Sequence, residues 1–160
     1  MDSETQLTLA RLIRATRVAA LGTLRTDAPL VSLALYCPED DFSAFVLHVS
    51  RLAWHTQDME RDARVSLSIT EADDGRADPQ TLMRVSLRGA VERVASEGGE
   101  YARLKARWLE RYPESAQTFE LADFAFWRLT PADARFVAGF GRTHNLAPQD
   151  LREAAQRPPI

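Results

Sequence analysis

The sequence predicts an α+β chain that is mainly β, an antiparallel barrel with attached helices. Three observations carry this. At least six stretches alternate apolar and polar residues with the period of two that a half-buried strand needs. Tight turn signals separate several of them. The helical stretches do not alternate regularly with the strands, which argues against a doubly wound parallel sheet.

The elements follow in order. Residues 4–16, "ETQLTLARLIRAT", repeat Leu7, Leu9, Leu12 and Ile13 at helical spacing and end basic, so a helix is expected. "VAALGTL" (18–24) and "LVSLALY" (30–36) read as strands joined by the turn "RTDAP". In the second of these, Val31, Leu33 and Leu35 share one face, while Ser32, Ala34 and Tyr36 share the other. "SAFVLHV" (43–49) and "VSLSIT" (65–70) are the next strands, and the second puts Val65, Leu67 and Ile69 inside. The polar stretch 71–80 reads as a loop. "LMRVSLRGAVERV" (82–94) is a long strand whose central Gly89 predicts a bulge. "EGGEYARLKARWLERYPE" is a helix stopped at Pro113. Two last strands are expected at 124–129 and 134–140, separated by a turn at "TPAD". A short helix fraying at Pro158-Pro159 would end the chain.

Composition bounds the function. The 160 residues suit a single domain spanning 1–160, and 45% hydrophobic with 27% charged is an ordinary globular balance. A formal net charge of -3 offers no electrostatic case for nucleic acid or an anionic membrane surface. The longest apolar runs are far below a membrane span. The acidic start "MDSETQ" is unlike a secretory signal, and the one cysteine, Cys37, allows no internal disulfide, so a reducing cytoplasm is the expected compartment. No metal-ligand spacing links the three histidines, and no nucleophile elbow or glycine-rich phosphate loop is present. Trp54, Trp108 and Trp127 read as core or interface aromatics.

The break at Ser50-Arg51 carries the most chemistry. Ser50 is placed to cap a helix over "RLAWHTQDMERD". Free amides at a helix start, the dipole and a guanidinium at the first helical position would together suit a phosphate. An ordinary capped helix with a solvated Arg51 reads the same way. His55, four residues on, would share a face with Arg51, or would simply be an exposed helical imidazole. His48 reads as a packed, hydrogen-bonded strand residue. His144 lies in "GFGRTHNL", either a cation-and-imidazole segment or a chain-reversing loop.

Three stretches in this order, "VAALGTLRTDAPLVSLALY", "FVLHVSRLAWHTQDMERDARVSLSI" and "RVSLRGAVERV", resemble the pyridoxamine 5′-phosphate oxidase-like FMN-binding split-barrel superfamily. "SRLAWHT" and "ARFVAGFGRTHNL" look most like its HugZ-type haem-utilisation branch. The resemblance covers about residues 8–146. It implies a homodimer of six-stranded antiparallel split barrels with flanking helices and FMN sites at the subunit interface. It maps the flavin ring to Val31, Ser32 and Leu33, and the ribityl and phosphate to His48, Val49, Ser50 and Arg51. Leu52 stands where the oxidases carry a second cation, and Arg84 where they carry a glutamine, so His55 and Arg84 are expected to supply charge. The oxidases' substrate-gripping Arg and His ending is missing, so vitamin B6 oxidation is not expected. The main expectation is an FMN-dependent oxidoreductase acting on an unknown small-molecule substrate. The alternatives are a haem-binding or haem-degrading protein with His144 as axial ligand, and a non-catalytic cofactor-binding module.

Overall fold

In the computed structural model, residues 1–158 are described. The elements are α1 (Ser3–Ala15), β1 (Val18–Arg25), β2 (Ala28–Leu35), β3 (Cys37–Pro38), β4 (Phe45–Ser50), α2 (Trp54–Arg61), β5 (Arg64–Thr70), β6 (Arg84–Arg93), α3 (Gly99–Arg111), β7 (Phe124–Val137), β8 (Thr143–Leu146) and α4 (Pro148–Ala155). The fraying expected at Pro158-Pro159 reaches outside the described residues.

All strands join one antiparallel sheet in the order β2-β1-β5-β6-β7-β4-β3, with β8 also on β7. The sheet curls until β2 and β4, far apart in that order, lie against each other. It therefore has eight strands, one of only two residues, where the resemblance implies six.

The two expected last strands are a single one. β7 runs unbroken through Thr130-Pro131 for 14 residues. Its first half pairs with β4, its second half with β8, and β6 runs along its other edge. Pro131 is tolerated because the β6–β7 register slips between Arg88 and Gly89, at the bulge that Gly89 predicts. The β1–β2 hairpin turns through Thr26 and Asp27, both at positive φ, the geometry that matches the twist of the flanking strands.

The inner face of the sheet, with Leu21, Leu67, Leu87, Leu129 and Phe136, is fully buried against α1, α4 and Met59 of α2. A second core lies behind β4 and β7, where Leu104 and Trp108 of α3 and Tyr112 just after it pack with Val46 and Phe126. Strand β4 is thus covered on both sides, which explains why its burial does not alternate. The Asp2 side chain caps α1 by accepting from Thr5 N at 2.7 Å. Among the described residues no helix is long and apolar enough to cross a membrane.

Candidate functional site

The register builds a bare outer face. Leu33, Ala20, Ser68, Ser86, Arg135 and Asn145 lie side by side across six strands. Val31, Gly22, Ser66, Arg88 and Asp133 form the neighbouring row. Both rows face away from the core. Their side chains are mostly small, and a Cβ on Gly22 would run into Ser66 Oγ. Val31 and Leu33 are 69% and 71% exposed, unusual for large apolar side chains on a strand. A groove of about 690 Å³ runs along this face between Val31, Gly22, Ser66, Arg88 and Pro131. Of the three residues expected at a ring system, the structure therefore brings Val31 and Leu33 outward and turns Ser32 to the opposite face.

The Ser50-Arg51 break is a turn, not a helix start. Helix α2 begins at Trp54, with Ala53 at its N-cap and no side-chain cap. Ser50 Oγ instead accepts from Leu52 N at 3.1 Å, and Ala53 N donates to Ser50 O at 3.1 Å. The Ser50 hydroxyl donates to Asp123 Oδ2 in a short bond, and Arg51 N donates to Asp123 O at 2.7 Å. The expected cap fails because the chain needs three more residues to swing from β4 onto the helix, and the serine serves that turn. The Arg51 side chain is exposed and makes no hydrogen bond or ion pair among the described residues. Val49 belongs to the core.

The two residues expected to supply charge are otherwise engaged. Arg84 folds back and donates to the carbonyls of Gln80 and Leu82, both at 3.0 Å. The His55 ring is partly buried, its Nε2 has no partner, and burial holds its pKa below the ordinary value. His55 starts α2 one residue after Trp54, so Arg51 is not on its helix at all. His48 is packed in aromatics: its ring stacks on Phe119 and lies close to Phe126, Phe124 and Trp108, with Thr118 Oγ1 at 3.3 Å from Nδ1. Desolvation there, with Lys105 adding a repulsive charge, lowers its pKa to about 4.

His144 is different. It lies on the edge strand β8 opposite Phe136, with the two rings 6.3 Å apart at 26°. It points to the same side as buried Leu146, while Asn145 faces outward with Arg135. The ring is partly exposed, and neither nitrogen is hydrogen-bonded among the described residues. The expected site residues thus fall into separate surroundings: the outer face, the β4–α2 turn, the aromatic core behind β4, the start of β6 and the β8 edge.

One charged cluster was not legible in the sequence. Asp58, fully buried on α2, accepts from Thr23 Oγ1 at 2.9 Å and pairs with Arg25 at 3.0 Å. The Arg25 guanidinium lies over the Trp54 ring, 4.2 Å from its centre, and Trp54 is otherwise exposed. Asp58 lies more than thirty residues from both Thr23 and Arg25, and no local signal pairs them.

A family model described as the CREG beta-barrel matches residues 2–153. The chain belongs to the CREG beta-barrel family. Solved structures from the pyridoxinephosphate oxidase family share the fold, as the resemblance implies. The chain is 27% identical over 124 residues to heme oxygenase HutZ of Vibrio cholerae, covering 77% of this chain and 69% of HutZ. It is 31% identical over 94 residues to the non-canonical heme oxygenase HOZ, chloroplastic, of Arabidopsis thaliana, which is 59% of this chain and 27% of HOZ. A heme binding protein from Mycobacterium smegmatis superposes with a TM-score of 0.81 at 31% identity, over 96% of this chain and 62% of that one. The chain therefore spans less than two thirds of the length of two of these proteins, 27% of HOZ and 62% of the Mycobacterium protein.

Proposed function

We propose that this CREG-family chain binds haem, with His144 as the axial ligand. The observation that carries the reading is the contrast among its three imidazoles. His48 is enclosed by aromatic rings, and His55 has its Nε2 buried, whereas His144 stands on an edge strand with both ring nitrogens free among the described residues. A free neutral imidazole is an ordinary iron ligand. Haem in the names of the three relatives supports the same choice. When bound, haem would supply a redox-active iron, and this chain would contribute the ligand. The small molecule in question is then haem itself, as cargo or substrate.

FMN fits less well. Of the polar groups expected at its phosphate, Ser50 and Arg84 are bound within the chain, His48 faces aromatics and His55 has its Nε2 buried, which leaves Arg51. The proposal includes a homodimer through the outer face, supported by the exposed Val18, Val31 and Leu33 on a surface of small side chains.

Titration with haemin tests the ligand. Wild type should develop a sharp Soret band that His144→Ala shifts or loses. The same band in both proteins overturns the ligand assignment, and no band in wild type overturns haem binding. Light scattering should give twice the chain mass of 17.9 kDa for the dimer; a monomer at micromolar concentration rejects it.

A further inference from the structure

We propose that Asp123 is a built-in anion that fills the Ser50–Leu52 turn and turns the chain away from phosphorylated ligands. This goes beyond the haem reading and does not depend on it. Strand pairing sets the geometry. Ser50 is in register with Phe124, so the residue just before β7 lies over the turn that follows β4. Asp123 meets that turn with both its carboxylate and its carbonyl. The carboxylate Oδ2 takes the Ser50 hydroxyl proton, and the carbonyl takes Arg51 N–H at 2.7 Å. The two remaining amides are also engaged, Leu52 N with Ser50 Oγ at 3.1 Å and Ala53 N with Ser50 O at 3.1 Å.

An anion-binding turn works by offering unsatisfied N–H and O–H donors. Here the Ser50 hydroxyl and the amides of Arg51, Leu52 and Ala53 each already have an acceptor within the chain. A phosphate arriving at Ser50 would have to displace a carboxylate from the same oxygen, or lie beside it as a like charge a few ångströms away. Arg51, exposed and unpaired among the described residues, is a single cation set against that carboxylate. The turn thus has the residue types of a phosphate seat and an occupant covalently supplied by the fold. Asp123 is a specificity-determining residue: it excludes a ligand rather than recognising one.

The test compares FMN with riboflavin, which differ by the phosphate. Both are titrated by flavin fluorescence into wild type, Asp123→Ala and Asp123→Asn. The asparagine keeps a hydrogen-bonding side chain without the charge, and thermal melts confirm that each variant folds. Removing the carboxylate should tighten FMN binding by about tenfold or more over wild type, the scale of one close like-charge contact. Riboflavin affinity should not change, and inorganic phosphate should compete for the gained binding. Adding Ser50→Ala to Asp123→Ala should cancel the gain. If no folded Asp123 variant binds FMN more tightly than wild type, or if riboflavin gains equally, the proposal is overturned. Haemin titration of the same samples reads the haem proposal separately, because His144 lies on another element.

Discussion

The imidazole of His48 stacks on the Phe119 ring, with centroids 4.2 Å apart and planes 12° from parallel. Phe119 belongs to the 3-10 segment Pro113–Glu120, which closes over the back of β4. Burial of the ring in that stack favours its neutral form.

Stability should therefore fall with acid. In the folded chain His48 titrates at about 4, against 6.5 when unfolded. Between those values the unfolded state binds more protons, so its contribution is complete above pH 6.5 and drains away as pH falls toward 4. The total is about 2–3 kcal/mol. Urea unfolding of wild type and His48→Phe at pH 7, 5.5 and 4.5 measures it: the difference between the two should shift steadily in favour of the variant as pH falls. Parallel curves would remove His48 from the acid response.

The Arg25–Asp58 pair should be asymmetric. The Asp58 side chain is 1% exposed and that of Arg25 28%. Arg25→Met strands a buried carboxylate and should cost about 3 kcal/mol. Asp58→Asn keeps an acceptor for Thr23 and leaves a guanidinium that reaches water and still lies over Trp54, so about 1–2 kcal/mol is expected. Chemical denaturation of both variants gives the order, and a larger loss for Asp58→Asn contradicts it.

Two glycines on the sheet should respond very differently to alanine. A Cβ on Gly89 would run into the carbonyl of Thr130, which is backbone locked in the bulge. A Cβ on Gly22 would meet only the Ser66 hydroxyl, which can rotate away. Gly89→Ala should cost about 3 kcal/mol or more and Gly22→Ala under about 1 kcal/mol. Comparable melting temperatures for the two variants would refute the bulge argument.

Most strands were legible because their alternation survives where one face meets solvent: β5 and β6 follow the written pattern. Legibility failed where a second layer intervenes. β4 is buried on both faces, so its alternation gives no sign of the α3 and Phe119 layer that encloses His48, although the packed, hydrogen-bonded reading of that residue agrees with the structure. On β2 the alternation groups the faces correctly but does not say which one is inner: Ser32 turns inward, and Val31 and Leu33 outward. No single chain's hydrophobic pattern separates a core face from an uncovered apolar one. At the candidate site, Ser50 and Arg51 were identifiable by type, but Asp123, which decides what they can bind, lies 73 residues away and is brought there by register alone.

The opening and closing helices are tied to each other. Arg14 of α1 donates to the carbonyls of Ala155 and Arg157, and Arg157 returns to Gln6. Leu9 and Ile13 share one core with Leu151 and Ala154. On the ribosome α1 is made before α4 and completes its packing only once α4 has been made. Its apolar stripe waits, uncovered, for a partner made more than 130 residues later, the period in which a chaperone that grips hydrophobic segments would have the most to hold.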